Sequence, residues 1–233
     1  MKKQIPNMIT SLNLLCGILA IYFSFLGDLK IAATLMALGA FFDFFDGMAA
    51  RLLQVKSEMG KQMDSLADMV SFGLVPGFIV FQLMRTSPDL PQIMIGNALI
   101  TPFLAFIIPV LSAYRLAKFN IDTRQTDSFI GLPTPALALF IGSLPFILDG
   151  YFSFEFDGLH SYYILLLISI ILSLLLVSEL PLFSLKFKNL SWKDNSIRFI
   201  FLGISLGALI LLQIGAFPFI ILLYIILSLL HKG

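Results

Sequence analysis

Four aspartates, Asp43, Asp46, Asp64 and Asp68, stand inside or at the edges of strongly apolar stretches. The first two belong to Phe41-Phe42-Asp43-Phe44-Phe45-Asp46-Gly47, the others to Gly60-Lys61-Gln62-Met63-Asp64-Ser65-Leu66-Ala67-Asp68. Spacings of three and four put each pair on one face of a helix. An ionised Asp at the bilayer centre costs about 2.5–3.5 kcal/mol on insertion scales, and less near the interface. Clustered carboxylates also repel one another. Divalent cations remove both penalties, and hard oxygen ligands suit Mg2+, Mn2+ or Ca2+. Pairing with Arg51, Lys56 or Lys61, or lining an ion path, is the other use of such acids, but the bases are too few for the acids. Gly47, Ala50 and Gly60 let a ligand approach the backbone closely, although small residues also pack helices in lipid. Arg51 has the fork geometry to clamp a phosphate.

The elements that position these groups lie in lipid. Of 233 residues 58% are hydrophobic and 12% charged, about half the charged fraction of a soluble domain. Spans are expected at Ile9–Phe25, Ile31–Leu53, Asp64–Met84, Ile95–Leu116, Pro133–Leu148, Tyr162–Leu182, Ile197–Gln213 and Ala216–Leu230, each near the roughly 20 residues a crossing needs. The last two are divided only by Gln213, Gly215 and Pro218, and read as a tight hairpin. The expectation is an all-α, polytopic transmembrane bundle of about eight helices, a single domain over 1–233, with a catalytic core over 1–183 and a C-terminal hairpin over 197–230. Lys2, Lys3, Arg51, Lys56, Lys61, Arg115, Lys118, Arg124, Lys186, Lys188, Lys193, Arg198 and Lys232 all fall on the N-terminal side. Only Lys30 and Arg85 fall opposite, beside Asp28, Asp89, Asp149, Glu155 and Asp157. The positive-inside rule makes the N-terminal side, and both termini, cytoplasmic. The stretch after Leu14 has no small-x-small cleavage pattern, so no cleaved signal peptide is expected. The lone Cys16 reads as a core residue.

The run Asp43-x2-Asp46-Gly47-x2-Ala50-Arg51-x8-Gly60-x3-Asp64-x3-Asp68 resembles the signature of the CDP-alcohol phosphatidyltransferase family, with no signature position departing. The resemblance implies six helices around a cytoplasm-facing polar cavity. It implies two divalent cations, Mg2+ or Mn2+, held by Asp43, Asp46, Asp64 and Asp68, with Asp68 also the general base. It implies a CDP pocket using Gly47, Ala50, Arg51 and Gly60, in an enzyme of the cell membrane that works as a homodimer and has no nucleic-acid partner.

Three further segments resemble the branch of that family that makes phosphatidylserine: Asp68-Met69-Val70-Ser71-Phe72-Gly73, Tyr114-Arg115-Leu116-Ala117-Lys118-Phe119-Asn120 and Phe129-Ile130-Gly131-Leu132-Pro133. Lys118 departs from the Arg expected there. CDP-diacylglycerol and L-serine are then the substrates. A serine carboxylate needs a fixed cation, for which Arg115 and Lys118 are candidates beside Asn120 and Ser71; topological anchoring is the competing role of both bases. Thr10 and Asn13 are suited either to nucleotide contact or to helix capping. Glycerol-3-phosphate, inositol phosphate or an aminoalcohol are the alternative acceptors. A cation transporter is the alternative from another class, and it leaves the Gly47, Ala50, Arg51, Gly60 pattern unexplained. His160 and His231 fall on opposite sides of the membrane, which excludes a His-based covalent route.

Overall fold

The computed structural model describes residues 4–55, 57–122, 129–150, 157–183, 189 and 191–230. Lys2, Lys3, Lys56, Arg124, Glu155, Lys186, Lys188, His231 and Lys232 lie outside the described residues.

The chain is an integral membrane helical bundle. Helices α1 (Gln4–Leu26) and α2 (Leu29–Leu52) form a hairpin. Gly27, at φ +86°, closes it, with the Gly27 and Asp28 amides donating to Ser24 O and Phe23 O. Only glycine takes this left-handed backbone without strain.

The next rod runs from Glu58 to Arg85, 28 residues, in three pieces. Its α-helical start, α3 (Glu58–Asp68), is capped by the Ser57 side chain, which accepts from the Gly60 amide at 3.2 Å. Immediately after Asp68 the hydrogen bonding widens into a π-helical stretch, Met69–Leu74, before α4 (Val75–Arg85) resumes the α geometry. The expected span, Asp64–Met84, sits within this rod; the Ser57 cap starts the helix six residues earlier.

The expected span Ile95–Leu116 begins later. Strands β1 (Met94–Ile95) and β2 (Ala98–Leu99) pair antiparallel across Gly96-Asn97. A 3-10 segment, Thr101–Phe106, then leads into α5 (Ile107–Ile121). Hydropathy does not distinguish Met94–Leu99 from the helix that follows, whereas a Gly-Asn turn does.

Helices α6 (Thr134–Leu148) and α7 (Tyr162–Val177) are short. Helix α7 ends before the expected Leu182 because strand β4 (Pro181–Leu182) turns back to pair with β3 (Phe129–Ile130). Gly131, φ +77°, makes that junction possible: a Cβ there would lie 2.6 Å from Leu176 O and 2.8 Å from Ser178 O. At the start of α7, Asp89 accepts from Ser161 Oγ (2.5 Å) and the Tyr162 amide (2.7 Å). These bonds hold its carboxyl below the usual range.

Helices α8 (Trp192–Leu212) and α9 (Ala216–Leu230) fold back on each other through Gln213–Gly215, as expected from their sequence. The Phe201 and Tyr224 rings lie 5.7 Å apart, a contact impossible for a continuous helix over 23 residues at 1.5 Å each. Tyr224 OH donates to Phe183 O at 2.8 Å, which ties the middle of α9 to the chain leaving α7.

The core is apolar and runs between α1, α2, α4, α5, α6 and α7, with Phe72, Met36, Ile79, Ile108, Ile141 and Leu165 fully buried. Polar contacts close both of its ends. At one end Lys61 Nζ donates to Asn120 O (2.8 Å) and Lys118 pairs with Glu179 (3.3 Å). At the other, Lys30 pairs with Asp149 and Thr86 Oγ1 lies 3.1 Å from His160 Nε2.

Candidate active site

Asp43 on α2 and Asp64 and Asp68 on α3 converge: one carboxylate oxygen from each lies within 4.8 Å of the others. All three are half-buried. The antiparallel run of α2 and α3 produces this, since Asp43 faces back across the turn toward the two acids spaced four apart. The described ion pairs in the structure involve none of them. Hard cations hold oxygen ligands at about 2.0–2.6 Å, so oxygens on opposite sides of such an ion stand about 4–5 Å apart. The donor set and its spacing therefore fit a divalent cation.

Asp46 stands outside this group of three. It is 6% exposed and accepts from Thr10 Oγ1 of α1 at 2.6 Å. Thr10 and Asn13, three residues apart on α1, serve the carboxylates: Asn13 Nδ2 donates to Asp68 Oδ1 at 3.3 Å.

A cavity of about 360 Å3 opens beside the acids, lined by Asn7, Thr10, Asp46, Gly47, Ala50, Ser57, Gly60, Lys61 and Asp64 among others. Gly47, Ala50 and Gly60 thus share one wall system with two of the aspartates. A Cβ on Gly47 would meet nothing within 4 Å, so the glycine leaves open space, whereas one on Gly60 would come 3.0 Å from Asn7 Oδ1. Arg51 is not part of the lining; it is exposed, and its Nε donates to Gly47 O at 3.0 Å. Asn7 and Ser57, to which sequence reasoning gives no role, line the cavity beside Lys61, read from sequence only as a candidate partner of the acids and a topological anchor. The spacing Asn7-x2-Thr10-x2-Asn13 along one helix face was the available signal.

The acceptor candidates separate. Arg115 is buried, its Nε has no hydrogen-bond partner among the described residues, and its guanidinium carbon lies 5.1 Å from the Phe119 ring centroid. Lys118 is engaged by Glu179. Ser71 is fully buried and donates to the Asn13 carbonyl at 3.0 Å, which locks the π-helical stretch to α1. Asn120 Nδ2 donates to Ser65 Oγ at 2.8 Å.

Residues 3–180 match the family model for CDP-alcohol phosphatidyltransferase. The chain belongs to the CDP-alcohol phosphatidyltransferase family. Membership in this family together with the acid cluster supports divalent-metal use. Among similar curated proteins is the CDP-diacylglycerol–serine O-phosphatidyltransferase of Bacillus subtilis (strain 168), 37% identical over 144 residues, 62% of this chain and 76% of that protein. The Helicobacter pylori (strain ATCC 700392 / 26695) protein of the same name is 30% identical over 203 residues, 86% of this chain and 80% of its own length. The archaetidylserine synthase of Methanothermobacter thermautotrophicus is 35% identical over 152 residues, 64% of this phosphatidyltransferase chain and 60% of that protein.

Proposed function

We propose that this phosphatidyltransferase transfers the phosphatidyl group of CDP-diacylglycerol to L-serine, releasing CMP and forming phosphatidylserine. The observation that carries the proposal is the sharing of Asp64 between the three-carboxylate group and the cavity bounded by Gly47, Ala50 and Gly60. A diphosphate lying against those small residues has its phosphorus beside the acids. The relatives named above for serine transfer support the acceptor.

Asp43, Asp64 and Asp68, with Asp46 adjoining, are the residues to hold Mg2+ or Mn2+. When bound, such ions neutralise diphosphate charge and polarise the phosphorus. Gly47, Ala50 and Gly60 admit the CDP moiety, and Arg51 stands at the rim to meet it by swinging off Gly47 O. Asp68 accepts the serine hydroxyl proton. The serine oxygen forms a bond to the phosphorus that bears diacylglycerol, the bond from that phosphorus to the bridging oxygen breaks, and CMP departs. A carboxylate is a weak base for an alcohol, but in a loose phosphoryl transfer positioning dominates and proton removal comes late.

Arg115 is the cation for the serine carboxylate, supported by its buried, unpartnered Nε. Lys118, already paired with Glu179, contributes less. The basic end of the bundle is assigned to the cytoplasm of the cell membrane by the positive-inside rule, and the reading of eight crossings, both termini on that side, is supported by the α8–α9 hairpin. The homodimer implied by resemblance is a separate expectation, read from the mass of the purified particle.

The deciding experiment incubates purified protein with CDP-diacylglycerol, serine and Mn2+ and follows CMP release. Metal-dependent phosphatidylserine formation is expected. Preference for glycerol-3-phosphate or an inositol phosphate overturns serine as acceptor, and no CMP release with any alcohol overturns the reaction. For sidedness, a cysteine at Lys61 in a Cys16→Ser background should react only with reagent on the cytoplasmic face, and reaction from outside reverses the topology.

A further inference from the structure

Asn13 is fully buried on α1, and its two amide atoms have different fates. Its Nδ2 donates to Asp68 Oδ1 at 3.3 Å, while its Oδ1 has no hydrogen-bond partner among the described residues. A buried acceptor without a partner carries the full desolvation penalty of that atom. Turning the amide over would set its carbonyl oxygen against the carboxylate, so the orphan oxygen is the cost of keeping the donor on Asp68.

The surroundings of Asn13 fix it in that orientation. Its backbone carbonyl accepts from Ser71 Oγ, three residues beyond Asp68. A Cβ on Gly39 would stand 3.0 Å from its Oδ1 and 3.6 Å from its backbone oxygen. Gly39 lies four residues before Asp43, on the same face of α2. Asn13 therefore touches the helix of Asp43 through Gly39 and the rod of Asp68 through both its amide and its backbone. We infer that Asn13 is a positioning residue: it orients the Asp68 carboxylate toward Asp43 and Asp64, and Gly39 is a glycine because the amide needs that space.

Partners that orient metal-binding carboxylates commonly change metal affinity or activity by about 10- to 100-fold when removed. A packing role alone predicts a different result, because an apolar residue of similar size removes the orphan oxygen and should leave the fold as stable as before or more so.

The inference rests on the proposed role of Asp68, and the test separates the two. Mn2+ affinity of the purified full chain, probed with Mn2+ alone by electron paramagnetic resonance, is measured for wild type, Asn13→Leu, Asp68→Asn and the double variant. Melting temperature in detergent and kcat at saturating Mn2+ are recorded beside it. Asn13→Leu should weaken Mn2+ by about tenfold and lower kcat at least as much, with the melting temperature unchanged or raised. In the Asp68→Asn background the same substitution should alter Mn2+ affinity less than twofold. Equal weakening in both backgrounds, or a lowered melting temperature with unchanged Mn2+ affinity, overturns the inference. Should Asn13→Leu fail to fold, Gly39→Ala presses on the same amide oxygen and the same cycle decides. If Asp68→Asn alone keeps wild-type affinity and turnover, the proposed role of Asp68 fails. If Asp68→Asn is impaired and Asn13→Leu is not, that role stands and the inference falls.

Discussion

Thr10 Oγ1 lies 2.6 Å from Asp46 Oδ2 and also 3.0 Å from Pro6 O. A hydroxyl has one proton, and a carboxylate acceptor makes the shorter and stronger bond. The first helix is thereby tied to the second through an acid that is 6% exposed. Thr10→Val keeps the shape and removes the donor. The bond lost lies within the protein, so its about 1.5–3 kcal/mol falls on the placement of Asp46, and the KM for CDP-diacylglycerol should rise by up to about ten- to hundredfold. Steady-state kinetics check this; an unchanged KM would show that Asp46 does not depend on Thr10.

Metal removal gives a second prediction. Three half-buried carboxylates within 4.8 Å, with no described ion pair to a base, are poorly compensated without a cation. Activity should vanish in EDTA and return with Mn2+ or Mg2+. Turnover in metal-free buffer at the wild-type rate would sink the metal role.

The aspartates should divide by role. Asp68→Asn should lower kcat at least a hundredfold, as expected for loss of general-base catalysis, and leave CDP-diacylglycerol binding largely intact. Asp43→Asn and Asp64→Asn should weaken Mn2+ and nucleotide together, since Asp64 borders both the acid group and the cavity. Binding of CDP-diacylglycerol measured beside Mn2+ binding distinguishes the cases. Near wild-type kcat in Asp68→Asn would reduce that residue to a ligand at most.

Arg115→Ala should raise the KM for serine about ten- to hundredfold, from loss of a charge-assisted contact, with a smaller effect on CDP-diacylglycerol. Lys118→Ala should do less, since Glu179 already holds that ammonium. Equal effects on both substrates would mean that Arg115 holds phosphate or structure instead.

Much of this was legible because charge in lipid is costly: Asp43, Asp46, Asp64 and Asp68 stood out against phenylalanines, and the basic residues sorted to one end. The break at Gln213 and Gly215 was enough to read the last hairpin, which the Phe201–Tyr224 contact reproduces. What stayed hidden depends on partners remote in sequence. Gly131 read as part of a motif, but its physical reason is the carbonyl of Leu176, 45 residues on. Ser71 looked available to a substrate until its bond to Asn13 O, 58 residues away, accounted for it. Asn13 itself read as a nucleotide contact or a cap because the Asp68 carboxylate reaches it only through the fold. The helical segment starts at Thr101 and not Ile95 because the strand residues Met94, Ile95, Ala98 and Leu99 are as apolar as a helix, and only the Gly96-Asn97 turn between them marks the difference.

The π-helical stretch Met69–Leu74 sits directly after Asp68, within a rod whose lower half buries Val75, Ile79, Val80 and Leu83. One residue is about 100° of rotation around an α-helix, so the wide turns act as a vernier between two halves of one rod. They let the acids point one way while the apolar stripe below points another, each at its own best angle. Deleting a single residue from the plain α geometry of Val75–Arg85 would leave hydropathy and length nearly unchanged, yet swing Asp64 and Asp68 by about a quarter turn relative to the apolar residues beyond the deletion. Chains of this kind can therefore exchange apolar residues freely along the rod but should be intolerant of a one-residue change in its count.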